Sequence, residues 1–355
     1  MHEWKKRFSL DRSAQPSGHM SDWRDSLVQV PAEGPFLSVF MPARPDVRLA
    51  EVFRRYAAWI EARLDERGAL LFRGFEVGGA REFELLGQWL GCTPTISREE
   101  TSPRTRISGS VFTATEYPGA YPIAFHNENS YQRAMPAKLL FYCSQPSQTG
   151  GATWLADCRA VWKMLPEGIR SSFALGGYQL VRSYHPYFGM SWQQAFGVND
   201  RAAVEAIAAC DEIHLEWKDN GVLTTTQVRP CVAVHPRTGA LCWTNHVFFF
   251  HHSNLPLHAR EALAVEARGD QLINDTRYAN GEAIELDILM AIGQAYDANT
   301  VSIEWQPGDV LLIDNLSIAH GRAPYAGARI IYFSQLDQIE WAQLRTPSCV
   351  QEEPS

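Results

Sequence analysis

Residues 125–131 read Phe-His-Asn-Glu-Asn-Ser-Tyr, which places an imidazole, His126, two positions before a carboxylate, Glu128. On an extended strand the side chains at i and i+2 share a face, so this spacing predicts that both groups can converge on one ion. A second imidazole, His320, stands far along the chain, just past Val310-Leu311-Leu312-Ile313, an apolar run that reads as a buried strand. Two histidines and one carboxylate on one face of a metal, with the other positions open, is the donor set of non-haem Fe(II) oxygenases. Either histidine alone fits an ordinary hydrogen-bonded residue; the Glu128 partner and the distal His320 together carry the metal reading.

Composition narrows the rest. The chain has 355 residues, 45% of them apolar, enough for a sizeable core. A net charge of −8 argues against a nucleic-acid surface, which needs clustered Lys and Arg. No apolar run approaches the roughly 18 residues of a membrane helix, and the polar, charged start carries no signal-like apolar stretch. The seven cysteines are scattered and contain no CxxC pair, as free thiols in a reducing compartment would be. These features together predict a cytoplasmic protein with no membrane or nucleic-acid partner.

The elements that must position the donors follow in order. Residues 1–34 are polar and aperiodic and read as a mobile arm. Asp46 to Arg67 repeats apolar residues at helical spacing until Gly68, and a second helix is predicted over Ala80 to Leu90. Between them, Ala69 to Phe75 reads as a buried strand. Polar residues from Arg98 to Tyr121 suit a loop at a site mouth. Further strands are predicted at Lys138–Cys143, Ala152–Ala156, Ala240–Asn245, Val301–Trp305, Val310–Ile313 and Arg329–Leu336. Asp157 caps a helix that ends before Pro166, with further helices near Arg201–Ala209, Leu257–Ala267 and Glu282–Tyr296. Many short strands, glycine turns and outer helices indicate a β-rich α+β fold, a barrel or two-sheet jelly roll flanked by helices. One domain is expected over 35–340, followed by a tail at 341–355.

With these residues in hand, the sequence resembles the taurine-dioxygenase-like family of Fe(II)/2-oxoglutarate-dependent oxygenases, and within it the branch typified by the syringomycin-biosynthesis hydroxylase. The likeness rests on Leu71-Phe72-Arg73-Gly74-Phe75, Thr115-Glu116-Tyr117-Pro118, His126-Asn127-Glu128, Gly150-Gly151-Ala152-Thr153, His235-Pro236-Arg237-Thr238-Gly239 and Gly308-Asp309. It closes with the block from Asp314 through His320-Gly321-Arg322 to Gly327-Ala328-Arg329. The resemblance implies a distorted double-stranded β-helix, Fe(II) held by His126, Glu128 and His320, and 2-oxoglutarate and O2 as co-substrates. It also implies contacts to 2-oxoglutarate from Thr153 and Arg329, with Arg322 as a competing anchor because His320 and Arg329 stand closer than in some relatives. Many relatives carry Asp in the first motif; Glu128 still supplies a carboxylate, which argues against a halogenase, where that ligand is missing.

Fe(II) must hold 2-oxoglutarate at two positions and still admit oxygen, so only three positions can go to protein. An arginine fork matches the distal carboxylate in two parallel hydrogen bonds, where lysine offers a point charge. Thr153 on its own fits a plain β-branched strand residue, and Arg329 a salt-bridge partner. Asn129 and Tyr131, next to the first motif, and Trp243 and Asn245, which alternate onto one face, are candidate substrate residues. His251-His252 would face opposite ways on a strand and so would not share an ion, and Phe248-Phe249-Phe250 reads as core. The function implied is oxidation, by hydroxylation or otherwise, of a small amino-acid-like metabolite in specialised biosynthesis, free or tethered to a carrier protein. A redox-inactive β-barrel that binds metal or ligand, and a protein hydroxylase, are the alternatives.

Overall fold

The computed structural model of the chain describes residues 22–96, 104–115, 117–187, 189–254 and 273–347. Ala69–Phe72, Val310–Asp314 and Ala134–Gln145 are adjacent strands of one nine-stranded sheet. They are apolar at nearly every position because both faces of this sheet are covered. Leu70, Phe72, Leu140, Val310 and Leu312 pack on one side with residues of the helices Leu49–Arg55, Ala57–Arg67 and Gly79–Trp89. The alternate residues Leu71, Leu139, Phe141, Leu311 and Ile313 pack on the other. There they meet Leu155, Val301, Ile303 and Ile318 of a second, four-stranded antiparallel sheet. Its order is Thr300–Ile303, Thr153–Asp157, Ile318–Arg322 and Ile123–His126. Two sheets packed face to face and flanked by helices make a β-rich α+β fold, the distorted double-stranded β-helix that the family resemblance implies.

The outer face of the smaller sheet is buried in turn. Phe125, Ala156 and Ala319 join a cluster with Trp243, Trp162 and Tyr296, roofed by the helices Cys158–Met164 and Leu286–Ala298. A third sheet, His214–Trp217, Leu223–Arg229, Tyr178–Tyr184 and Asn274–Tyr278, extends this side. Among the described residues no helix is long and apolar enough to cross a membrane.

Several elements depart from their predicted limits. The helix expected over Asp46–Arg67 is two, broken at Tyr56, whose φ of −118° and ψ of 24° leave the helical region. Gly68 ends the second at φ 101°, and a Cβ there would lie 2.7 Å from the side chain of Ile318, so turn and close approach both require glycine. Part of the stretch read as an arm is ordered: Leu27–Val30 pairs antiparallel with Leu37–Pro42 at the sheet edge, buried through Leu27. The tail begins with a 3-10 turn, Trp341–Gln343, and Arg345 bridges to Val234. The site-mouth loop contains a short hairpin, Arg106–Ser108 with Val111–Thr113. The helix expected at Leu257–Ala267 lies outside the described residues.

Candidate metal centre and active site

His126 ends the strand Ile123–His126, and His320 stands directly opposite it in the register of Ile318–Arg322. Leu155 pairs with His320 from the other side, and Thr153 with Arg322. The three strands thus bring both imidazoles and the threonine to one face of the smaller sheet. Glu128 reaches the site differently from its predicted course. The strand stops at His126, and Glu128 sits in a turn in which Asn129 takes the left-handed conformation, φ 55°. The convergence of His126 and Glu128 is therefore built by a turn, not by strand alternation.

That turn is held from a distance. Asn315 accepts from the Glu128 N–H through Oδ1 at 2.8 Å, and its amide donates to Glu128 O at 3.0 Å and Pro136 O at 2.8 Å. In return, Asn127 Nδ2 donates to Asn315 O at 2.8 Å and Ile318 O at 3.2 Å. Glu128 Oε1 accepts from Arg104 Nη2 at 2.7 Å and Gln335 Nε2 at 3.3 Å. Its other oxygen, Oε2, lies 3.8 Å from both His126 Nε2 and His320 Nε2. This is too long for hydrogen bonds; three donor atoms, one per residue, face a common point, all within 4.8 Å of one another.

The electrostatics suit a metal. His126 Nδ1 lies 2.9 Å from Ala124 O, an acceptor only, so Nδ1 carries the proton and Nε2 presents its lone pair. Burial pushes the His126 imidazole below its usual range, partly offset by the Glu128 charge. Burial and the neighbouring His126 hold His320 well below. Both rings are accordingly neutral near pH 7, the ligating form. His320 Nδ1 is buried with no hydrogen-bond partner among the described residues. The rings of Phe249 and Phe141 lie 4.6 Å from His126 and 5.5 Å from His320, walling the donors.

One cavity is lined by the three candidate donors together with Arg104, Thr153, Arg322 and Arg329. The two arginines differ. Arg322 donates to three backbone carbonyls, of Tyr117, Pro118 and Tyr121, at 3.0, 3.0 and 2.8 Å. It is thereby spent on holding the 117–121 loop. Arg329 donates from Nε to Gly151 O at 3.1 Å, a single bond that leaves its terminal nitrogens for a ligand. Burial, and then the charge of Arg322, lower its pKa to about 10, so it stays cationic at neutral pH. Thr153 Oγ1 accepts from Trp305 Nε1 at 2.9 Å, which leaves the hydroxyl proton to donate.

The four candidate substrate residues do not line this cavity. Trp243 is fully buried, its ring stacked on Trp162 at 6.1 Å. Asn245 is occupied in a turn, its amide donating to Cys231 O and its oxygen accepting from the Val247 N–H. Tyr131 packs edge-on against His246 and Phe250, and Asn129 donates to Gln335 at 3.4 Å. Alternation along a strand gives Trp243 and Asn245 a shared face, but the strand ends at Trp243, which faces the core. Arg104, Gln335 and Trp305 were missed: the first stands in the polar stretch read as a site mouth, and no spacing singles out any of them.

A family model described as taurine catabolism dioxygenase TauD, TfdA family matches residues 37–333. The chain is 33% identical over 305 residues to the dapdiamide synthesis protein DdaC of Enterobacter agglomerans, covering 86% of this chain and 92% of that one. It is 27% identical over 315 residues to a clavaminate synthase-like protein of Arabidopsis thaliana, covering 84% and 91%. Among solved structures it is similar in fold to PvcB of Pseudomonas aeruginosa, with a TM-score of 0.55, 14% identity and coverage of 94% and 99%. The matched segment contains all three donors and both arginines, and the chain belongs to the taurine catabolism dioxygenase TauD, TfdA family.

Proposed function

We propose that His126, Glu128 and His320 hold Fe(II), that Arg329 and Thr153 receive the distal carboxylate of 2-oxoglutarate, and that the substrate is an amino-acid-like metabolite of specialised biosynthesis. The chain is a dioxygenase, and its family works with Fe(II), 2-oxoglutarate and O2. When bound, the iron would use O2 to couple oxidative decarboxylation of 2-oxoglutarate, to succinate and carbon dioxide, with two-electron oxidation of a small-molecule substrate. The chain's own part is to present two neutral imidazoles and one carboxylate oxygen while Arg104 and Gln335 hold the other oxygen aside. Arg329 orients the co-substrate, and Phe141 and Phe249 keep water from the metal's apolar flank.

The observation that carries this reading is the 3.8 Å separation of Glu128 Oε2 from both Nε2 atoms, in a cavity shared with a nearly unengaged guanidinium. The substrate class is supported by the likeness to DdaC, whose name places it in dapdiamide synthesis. Tethering to a carrier protein belongs to the same proposal. So does a single catalytic domain over 35–340, supported by a major sheet with strands drawn from Leu27 to Glu340. A cytoplasmic setting is supported by the six described cysteines, all free. Succinate release from 2-oxoglutarate, measured with free and carrier-tethered amino acids and with peptides, tests the assignment. Stimulation by the amino-acid panel is expected; stimulation by peptides alone would make the enzyme a protein hydroxylase.

A further inference from the structure

Two imidazoles and a carboxylate meet a second time, outside the cavity just described. His251 follows the helix Val247–Phe250, His252 opens the 3-10 turn His252–Asn254, and Asp275 lies on the strand Asn274–Tyr278. Adjacent histidines on a strand would face apart. Here the chain bends between them, and their rings lie 4.2 Å apart at an angle of 33°. His252 Nδ1 is 2.8 Å from Asp275 Oδ1, and His251 Nε2 is 3.9 Å from the same oxygen. One donor atom from each residue lies within 4.8 Å of the others. His251 and Asp275 are buried, whereas the His252 side chain is 43% exposed and leaves the cluster open to water.

We propose that His251, His252 and Asp275 form a second metal site, distinct from the iron centre, that takes Zn2+ or another late first-row divalent cation. Two nitrogens and one oxygen suit such ions, whereas Ca2+ and Mg2+ require mostly oxygen ligands. In the ligating tautomer His251 carries its proton on Nδ1 and donates it to Ser253 Oγ, 2.8 Å away, the usual outer partner of a metal-bound imidazole. The Ser253 N–H, now 3.1 Å from Nδ1, gives up that acceptor. Arg277 Nε stands 3.4 Å from the second Asp275 oxygen and leaves Oδ1 to the metal. An ion here would fasten the helix to the strand. That helix also carries Phe249, 4.6 Å from the His126 ring, so the second site adjoins a wall of the first.

Equilibrium dialysis of the full chain against Zn2+, with metal analysis, tests the proposal. The wild type is expected to bind two ions and a His126→Ala/His320→Ala variant one. Adding His252→Ala or Asp275→Asn to that variant should weaken the remaining ion at least ~100-fold. His252 is the most exposed of the three, so its removal is the least disturbing to folding, which circular dichroism checks. An ion absent from the His126→Ala/His320→Ala variant, or one retained after both further substitutions, would overturn the second site. If that variant instead held both ions and His252→Ala removed one, the second site would stand and the iron assignment would fall.

Discussion

The inner end of the cavity and its mouth are built on opposite plans. At the inner end the three donors come from two paired strands and a turn clasped by Asn127 and Asn315, with the bonds among them buried. At the mouth, guanidinium groups do the organising: Arg322 on the 117–121 loop, Arg329 on Gly151. The first plan fixes positions through short amide bonds that lack the reach to adapt. The second uses long side chains whose planar heads can exchange a backbone carbonyl for a ligand's carboxylate. A dioxygenase needs both: a metal geometry that does not vary, and a rim that engages co-substrate and then lets product leave.

The largest effect should follow from breaking the inner end at its donors. His126→Ala and His320→Ala each should abolish turnover and iron binding, and Glu128→Ala should abolish turnover while leaving weak iron and 2-oxoglutarate binding through the two imidazoles. Iron titration, and the anaerobic absorption band of the iron–2-oxoglutarate complex, decide this; a variant with wild-type affinity and rate leaves the donor set.

Asn315→Ala should cost about 3 kcal/mol of stability or more. It strands the Glu128 N–H and two carbonyls in the interior, at about 1–3 kcal/mol per unsatisfied group. Urea unfolding reads this, and an unchanged midpoint would show that the clasp is replaceable.

At the mouth, Arg329→Ala should raise the apparent KM for 2-oxoglutarate at least ~30-fold, since removing one partner of a buried charge pair costs ~2–5 kcal/mol. Arg322→Ala should leave that constant within about threefold, because its three carbonyl bonds serve the loop, and should instead lower stability by about 1–3 kcal/mol. The reverse outcome, read by succinate formation at saturating iron, would exchange the two assignments.

The smallest effect is on pH dependence. Burial alone would raise Asp314, but the His235 charge at 2.9 Å and the bonds from Ser317 hold it at about 2. Burial alone would lower His235, but Asp314 lifts it above 6.5. The carboxylate's contribution is present above 3.8 and fades as pH falls toward about 2. The imidazolium's is complete below 6.5 and fades as pH rises through its lifted value. The stability advantage of the wild type over His235→Gln should therefore shrink as pH rises from 6 to 9, read by denaturing both proteins at each pH; an advantage independent of pH would remove the imidazolium from the pair.

Much of this was legible in the chain. An uninterrupted apolar run announces a strand covered on both faces, and Val310-Leu311-Leu312-Ile313 is one. The three candidate donors can be singled out because their residue types are rare in combination, whatever backbone joins them, and the fold brings them within 4.8 Å of one another. What failed was inference that needed the backbone to stay regular. Glu128 was placed by strand alternation, yet the left-handed Asn129 turns the chain there. Trp243 and Asn245 would share a face only if the strand continued; it stops at Trp243, which faces the core, and Asn245 lies in the turn beyond. Arg104 bears no periodic signal, because its partner is a carboxylate on another segment and its place depends on the loop's path.

The asparagine clasp also has a consequence in time. Asn127 and Glu128 have their backbone and side-chain partners at Asn315 and Ile318, and Ala134–Gln145 is flanked in the sheet by Val310–Asp314 and Ile330–Glu340. During synthesis, therefore, the first half of the site emerges with neither its amide partners nor its neighbouring strands. Contacts this distant in sequence form late and slowly. A ribosome-bound or truncated chain that stops short of residue 310 lacks His320 and Asn315, hence both halves of the clasp's pairing, so on the proposed assignment a redox-active ion would find its place only in an essentially finished protein.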